Sequence, residues 1–184
     1  KGMKGSERRL AFIRGDLNAT RENPAAYKKH VLPVIKKGDA YTWFHHGLLD
    51  VSTGQHGKDP NFTEPTFEAL YEATYGVAPS GDFYDAYKLV KSWRDALQKA
   101  FWVNKGNPNK DKLVAALNKM INDPESVAAI EKKVGKYEWR TGTDGDAAVR
   151  TLKSFITPEA LRTLADFKSQ QLGYNTVYKK ELTE

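Results

Sequence analysis

At four places along this 184-residue chain, outside the loop-like stretch 50–65, a residue able to cap a helix stands directly before proline: Asn23-Pro24, Asn107-Pro108, Asp123-Pro124 and Thr157-Pro158. Proline has its φ set near the helical value and lacks the N–H that a first helical residue would leave unbonded. The side-chain oxygen before it accepts a bond from a backbone N–H of the first turn. Each pair therefore predicts a helix start, and three of them lie in the second half of the chain. Apolar residues recur at helical spacing in this half: Leu113, Leu117, Met120 and Ile121; Leu152, Phe155 and Ile156; Leu161, Leu164, Phe167 and Leu172. From Asn107 onward the chain reads as almost all helix. Gly173 ends the last helix, and a short strand is expected at residues 176–178.

The first half alternates instead. A helix is expected over residues 7–14, with Ser6 as its N-cap and Gly15 in the left-handed position that ends it. A short strand is expected at 17–20. The next helix, 25–36, is bent by Pro33 and stopped by Gly38-Asp39. An aromatic strand follows at 41–45, then a loop over 50–65 rich in Gly, Pro, Asp, Ser and Thr. Helices are expected at 67–75 and 83–100. In the second of these, Phe83, Tyr87, Val90, Trp93 and Leu97 make one apolar face. Phe101, Trp102 and Val103 read as a buried strand. Alternation of short β-like runs with helices favours βαβ units, so residues 1–105 are predicted to be an α/β lobe with a short parallel or mixed sheet.

The start of the chain carries the chemistry. Lys4-Gly5-Ser6-Glu7 leads into the amphipathic run Leu10-Ala11-Phe12-Ile13. The first N–H groups of a helix have no internal partner and lie at the positive end of its dipole. Glycine just before them lets an anion approach the backbone closely. The turn is a candidate site for a carboxylate or phosphate. The net charge of +6 and pI near 9.3 favour anionic partners in general, although Lys and Arg are spread along the chain without a dense block.

Other chemistries find little support. The chain has no cysteine, so disulfides and thiolate metal sites are excluded. The histidines are His30, His45, His46 and His56, and none forms a helical His-x-x-x-His pair. Adjacent His45 and His46 on a strand would point to opposite faces. No Gly-x-Ser-x-Gly elbow occurs, and no Ser–His–Asp set is evident. The tryptophans Trp43, Trp93, Trp102 and Trp139 are read as core. No catalytic residue, metal or cofactor is expected, and the chain is read as a non-enzyme. No run approaches the roughly 20 apolar residues that span a membrane.

The stretch Gly2-Met3-Lys4-Gly5-Ser6-Glu7-Arg8-Arg9-Leu10-Ala11-Phe12-Ile13-Arg14-Gly15-Asp16-Leu17-Asn18-Ala19 resembles the pattern in substrate-binding receptors of the tripartite tricarboxylate transporter family. There a Gly-Ser turn leads into a helix, then Arg-Gly-Glu/Asp, then a short apolar strand. The stretch Asp59-Pro60-Asn61-Phe62-Thr63-Glu64-Pro65-Thr66-Phe67-Glu68-Ala69-Leu70 resembles that family's Pro-Thr-x-x-Glu element. Phe101-Trp102-Val103-Asn104-Lys105-Gly106-Asn107-Pro108 resembles its crossover strand, and Asp123-Pro124-Glu125 its Asp-Pro-Glu helix start. The four elements come in the family's order.

The resemblance implies a type II periplasmic-binding-protein-like lobe over 1–105. It implies further that residues 106–184 form a crossover and C-terminal helices that pack on a first lobe preceding this chain. The chain is then the C-terminal portion of an extracytoplasmic, periplasmic receptor. That receptor would capture a small organic carboxylate for a secondary tripartite transporter. The implied ligand-binding residues are Lys4, Gly5, Ser6 and Glu7 in the turn, with Ala19, Thr20 and Arg21 beside them. Implied partners are the membrane transporter subunits and the receptor's N-terminal half, or a second copy in its place. The rival reading is a KH-like or other basic nucleic-acid-binding domain, since Gly2-Met3-Lys4-Gly5 fits a Gly-x-x-Gly loop. A KH loop lies between two helices and nothing precedes the turn here, so nucleic acid is not among the expected partners.

Overall fold

The computed structural model describes residues 3–97 and 100–174. The elements are, in chain order, α1 (Gly5–Ile13), α2 (Pro24–Ala26), a π turn (Tyr27–Val31), α3 (Leu32–Lys36), β1 (Leu48–Asp50), β2 (Gln55–Gly57), α4 (Phe67–Tyr75), α5 (Asp82–Leu97), α6 (Lys110–Ile121), α7 (Pro124–Val134), α8 (Gly142–Ser154) and α9 (Pro158–Leu172). The described residues are mixed, mainly helical with one small sheet. The expected strand at 176–178 lies outside the described residues.

Three of the four Pro-marked starts are formed as the sequence predicts. Asn23 Oδ1 accepts the Ala26 N–H at 2.9 Å, Asp123 Oδ2 the Ser126 N–H at 2.9 Å, and Thr157 Oγ1 the Ala160 N–H at 3.1 Å. The fourth differs. Asn107 Oδ1 accepts the Asn109 N–H at 2.8 Å, which closes a tight turn, and α6 begins only at Lys110. Pro33 acts through a π turn: the Leu32 N–H bonds to Tyr27 O, five residues back. Proline at 33 has no N–H for the carbonyl of Lys29 and its ring crowds that oxygen, so the helix widens just before it.

Among the described residues the expected parallel or mixed sheet is not formed. Residues 17–20 and 101–103 form no strand, and of residues 41–45 only His45 makes a bridge, parallel to Thr66. Phe101 and Trp102 are 69% and 74% exposed, so this run is not a buried strand. The β structure lies instead at residues 48–57, straddling the start of the segment predicted as a loop. There β1 and β2 pair antiparallel, with Leu48 opposite Gly57, Leu49 opposite His56 and Asp50 opposite Gln55. Asp50 builds the turn: its Oδ1 accepts the Ser52 N–H and hydroxyl, and its carbonyl accepts the Gly54 N–H. At the open end Gly47 is at φ +72°, and a Cβ there would lie 2.3 Å from Gly57 O. Only glycine fits.

The chain divides into two compact units: residues 1–42 with 128–137, and residues 43–127 with 138–184. The boundary at 105 expected from the sequence is not one of these limits. In the second unit α5 packs against α9, α8 and β1. Its buried apolar residues are Leu49, Ala86, Leu89, Ala148, Leu152, Ala160 and Ala165. Trp93 Nε1 donates to Leu152 O at 3.2 Å, Thr151 Oγ1 to Val51 O at 2.6 Å, and an Arg140 N–H to Leu49 O at 3.1 Å. The apolar face expected on α5 is only partly turned inward: Phe83 is 73% and Val90 48% exposed, Tyr87 and Trp93 are half-buried, and Ala86 and Leu89 lie deepest. Trp43 is exposed as well, against its reading as core. In the first unit Ala11 and Val31 are buried.

Candidate functional site

Helix α1 starts earlier than the sequence suggests. Lys4 is the N-cap, in extended backbone, and Ser6 is the second helical residue. Ser6 is therefore not the N-cap. The reason is Glu7: its carboxylate folds back to accept the Lys4 N–H at 2.9 Å, which stabilises a start at Gly5. The N–H groups of Gly5, Ser6 and Glu7 are then the ones without an acceptor in the helix. Lys4, Gly5, Ser6 and Glu7 are all exposed, and a Cβ at Gly5 would meet nothing within 4 Å. Gly15, at φ +82°, ends the helix as expected. Gly2, part of the Gly-x-x-Gly run, lies outside the described residues.

Residues 19–21 come to the same helix by way of Arg8. Its Nε–H donates to Thr20 Oγ1 at 3.3 Å and a terminal N–H to Arg21 O at 2.5 Å. Next to it, Arg9 forms a two-pronged pair with Glu22, at 2.9 and 3.2 Å. The two side chains of this pair are only 15% and 6% exposed. Two arginines one residue apart thus clamp residues 20–22 against α1. Thr20 is half-buried, while Ala19 and Arg21 are exposed. The clamp was not foreseen from the sequence, in which Arg8 and Arg9 were only members of a motif. A hollow of about 370 Å³ lies at the other end of α1, lined by Phe12, Ile13, Leu17, Val34, Lys37 and Asp39. None of the expected ligand-binding residues lines it.

A second polar cluster lies in the other unit and was missed altogether. His56 on β2 shares a 3.2 Å hydrogen bond between its Nε2 and Ser92 Oγ on α5. Its Nδ1 lies 3.9 Å from Glu68 Oε1 on α4. The same Glu68 oxygen accepts the Tyr84 hydroxyl at 3.2 Å. A serine, a histidine and a carboxylate are therefore in line. The line does not make a nucleophile, because Ser92 is fully buried and the His56 side chain is 1% exposed. Ser92 also lies within α5, where its backbone N–H is held by the helix and cannot serve an oxyanion. Burial, helped by the positive charges of Lys91, His46 and Lys88, pushes the His56 pKa down to about 3. Burial, with the Glu68 carboxylate beside it, raises that of Tyr84.

His45 is held apart from this line. Its Nδ1 accepts the Gly47 N–H at 2.9 Å, so the neutral ring carries its proton on Nε2. It stacks on Phe62 with ring centres 5.2 Å apart, and burial lowers its pKa. Its neighbour His46 goes elsewhere, sharing a 2.8 Å hydrogen bond with the Tyr87 hydroxyl. The two histidines serve different surroundings, as their adjacency implied. Among the described residues no group of three or more His, Asp or Glu is placed to hold a metal ion. Nor is any helix among them long and apolar enough to cross a membrane.

Comparison of the chain with protein-family models, with curated proteins and with solved structures gave no match.

Proposed function

We propose that this chain is part of an extracytoplasmic solute-binding receptor of the tripartite tricarboxylate transporter type. In this reading the described fold belongs to a type II periplasmic-binding-protein-like lobe, and the first turn of α1 binds the carboxylate of a small organic acid. The observation that carries it is the Arg8 clamp. Two segments that the motif resemblance assigns to one site, residues 4–7 and 19–21, are joined by the hydrogen bonds from Arg8 to Thr20 and Arg21. The exposed N–H groups of Gly5 and Ser6 then face an anion with the helix dipole behind them. Glu7 contributes through its backbone N–H, since its side chain caps the helix at Lys4. The protein carries out no reaction; it binds and hands over.

Delivery requires contact with membrane transporter subunits, and the rest of the ligand pocket comes from a further lobe or a second copy. The exposed side chains of Phe101 and Trp102 favour such an association. The test is calorimetric titration of the chain with a panel of mono-, di- and tricarboxylates. Binding of one of them, lost in Ser6→Glu without a change in melting temperature, is expected. If none gives heat, or if Ser6→Glu binds as well as the parent, the receptor reading fails.

A further inference from the structure

The net charge of +6 is not shared between the two compact units. The unit made of residues 1–42 and 128–137 holds thirteen Lys and Arg against five Asp and Glu, a net of +8. The other unit holds sixteen against eighteen, a net of −2. Within the basic unit the arginines and lysines do different work. Arg8 bonds Thr20 and Arg21, Arg9 pairs with Glu22, and Arg14 pairs with Asp16 at 2.7 Å. Lys28, Lys29, Lys36, Lys37, Lys132 and Lys133 are exposed. The same unit also exposes large apolar side chains. Leu10 and Ile13 of α1 are 55% and 50% exposed, and Met3 ahead of it 54%. Leu10 and Ile13 are three residues apart and so share a face of the helix.

We propose that this unit docks on an anionic phospholipid surface, lysines supplying the attraction and the Leu10–Ile13 face of α1 entering the headgroup boundary. Three features favour lipid over nucleic acid. The exposed cations named are lysines, compact point charges suited to a diffuse negative surface, whereas three arginines able to grip a single phosphate with two prongs are engaged within the unit. Exposed aliphatic side chains gain nothing on a phosphate backbone but bury apolar area in a bilayer interface. Lysine stems can also lie along that interface with their ammonium groups in water. The attachment is peripheral and reversible, and it would leave the −2 unit repelled from the same surface.

Vesicle co-sedimentation of the full chain decides. Phosphatidylcholine vesicles are compared with vesicles holding about 30% phosphatidylglycerol, at low and high salt. Binding is expected only to the anionic vesicles, falling steeply as added salt shortens the screening length from about 10 Å at 0.1 M to about 3 Å at 1 M. Lys28→Glu with Lys29→Glu, and separately Lys36→Glu with Lys37→Glu, should each weaken it by about tenfold or more. Leu10→Ser with Ile13→Ser should weaken it at unchanged salt dependence. The four lysines are exposed, so an unaltered circular dichroism melt is expected for their variants, while the Leu10/Ile13 pair should lower the melt modestly and stay folded at the assay temperature. Equal binding to neutral vesicles, no binding to anionic ones, or displacement by a single-stranded oligonucleotide with no effect of the Leu10/Ile13 pair would overturn the proposal.

Discussion

Replacing Leu89 and Phe83 of α5 by alanine, one at a time, distinguishes two orientations of that helix. Phe83 is the larger residue and opens the apolar series Phe83, Tyr87, Val90, Trp93; Leu89 stands outside it. The structure reverses their importance, with Leu89 6% exposed and Phe83 73% exposed. Truncating a buried leucine loses its transfer free energy and leaves a cavity, which together cost about 3 kcal/mol within a range of about 2–5. Phe83 keeps only about a quarter of its surface from water, about 50 Å², worth about 1 kcal/mol. Alanine returns part of this through its better helix propensity, about 0.5 kcal/mol. In a chain of this size about 3 kcal/mol lowers the melting temperature by about 6–12 °C, and less than 1 kcal/mol by about 3 °C at most. Thermal melts followed by circular dichroism, with urea titrations as a check, give both values. Were Phe83→Ala to cost more than Leu89→Ala, α5 would be turned the other way and the arrangement of α5 on α8 and α9 would be wrong.

Three further outcomes are expected. The His56 pKa of about 3 lies below that of the exposed imidazole, 6.5, so the unfolded chain binds the extra proton first. Stability is then full above pH 6.5 and falls as pH drops from there toward 3; at pH 5 the loss from His56 alone is about 2 kcal/mol. Unfolding free energies from urea titrations at pH 7 and pH 5 should differ by that much less in His56→Gln than in the parent chain, and an unchanged difference would count against the buried neutral ring. Arg9→Ala strands the buried Glu22 carboxylate and should cost about 3–5 kcal/mol, recovered in large part by Glu22→Gln in the same chain; equal stability of Arg9→Ala and the parent in a urea titration contradicts the clamp. Gly47→Ala places a Cβ against Gly57 O at a backbone angle unfavourable to alanine and should cost more than about 1 kcal/mol, while Gly5→Ala, in open space, should change the melt by less than about 0.5 kcal/mol.

Local chemistry was legible in the sequence and the phase of burial was not. Asn23, Asp123 and Thr157 cap their helices because a capping oxygen and the following proline act within one turn, without help from the rest of the chain. Helix 67–75 was placed to the residue. The errors are of another kind. The inward residues Ala86, Ala148, Ala160 and Ala165 are small, and they let α5, α8 and α9 come close. A reading that follows large apolar side chains selects the outer edge of such a contact. Strand propensity misled for a related reason. Phe101, Trp102 and Val103 have β-favouring side chains, but such propensity reflects packing on a pleated neighbour, and no partner strand lies beside them among the described residues. The hairpin at Leu48–Asp50 and Gln55–Gly57 rests on a turn built by Asp50 and on bonds from Thr151 and Arg140, about a hundred residues away.

The two polar sites differ in legibility for the same reason. The turn at Lys4–Glu7 is local, so its place at the start of α1 could be read from residues 4–13. Its actual cap could not, because Glu7 also had a role assigned by the motif, and only the fold shows its carboxylate on the Lys4 N–H. Arg8 reaches residues 20 and 21, and Arg9 residue 22; a pair of adjacent arginines early in an amphipathic helix looks like a solvated face until a partner segment turns back along it. The His56–Ser92 and His56–Glu68 pairs join β2, α5 and α4 across 36 and 12 residues, and no spacing rule links them. One signal was available. Lys91 and Ser92 follow Leu89 at two and three residues, and a helix turned to bury Leu89 carries Ser92 inward with it. A buried serine needs a partner, and a histidine on the facing hairpin supplies one. Choosing the phase of α5 by its alanines would thus have recovered both the core and the cluster.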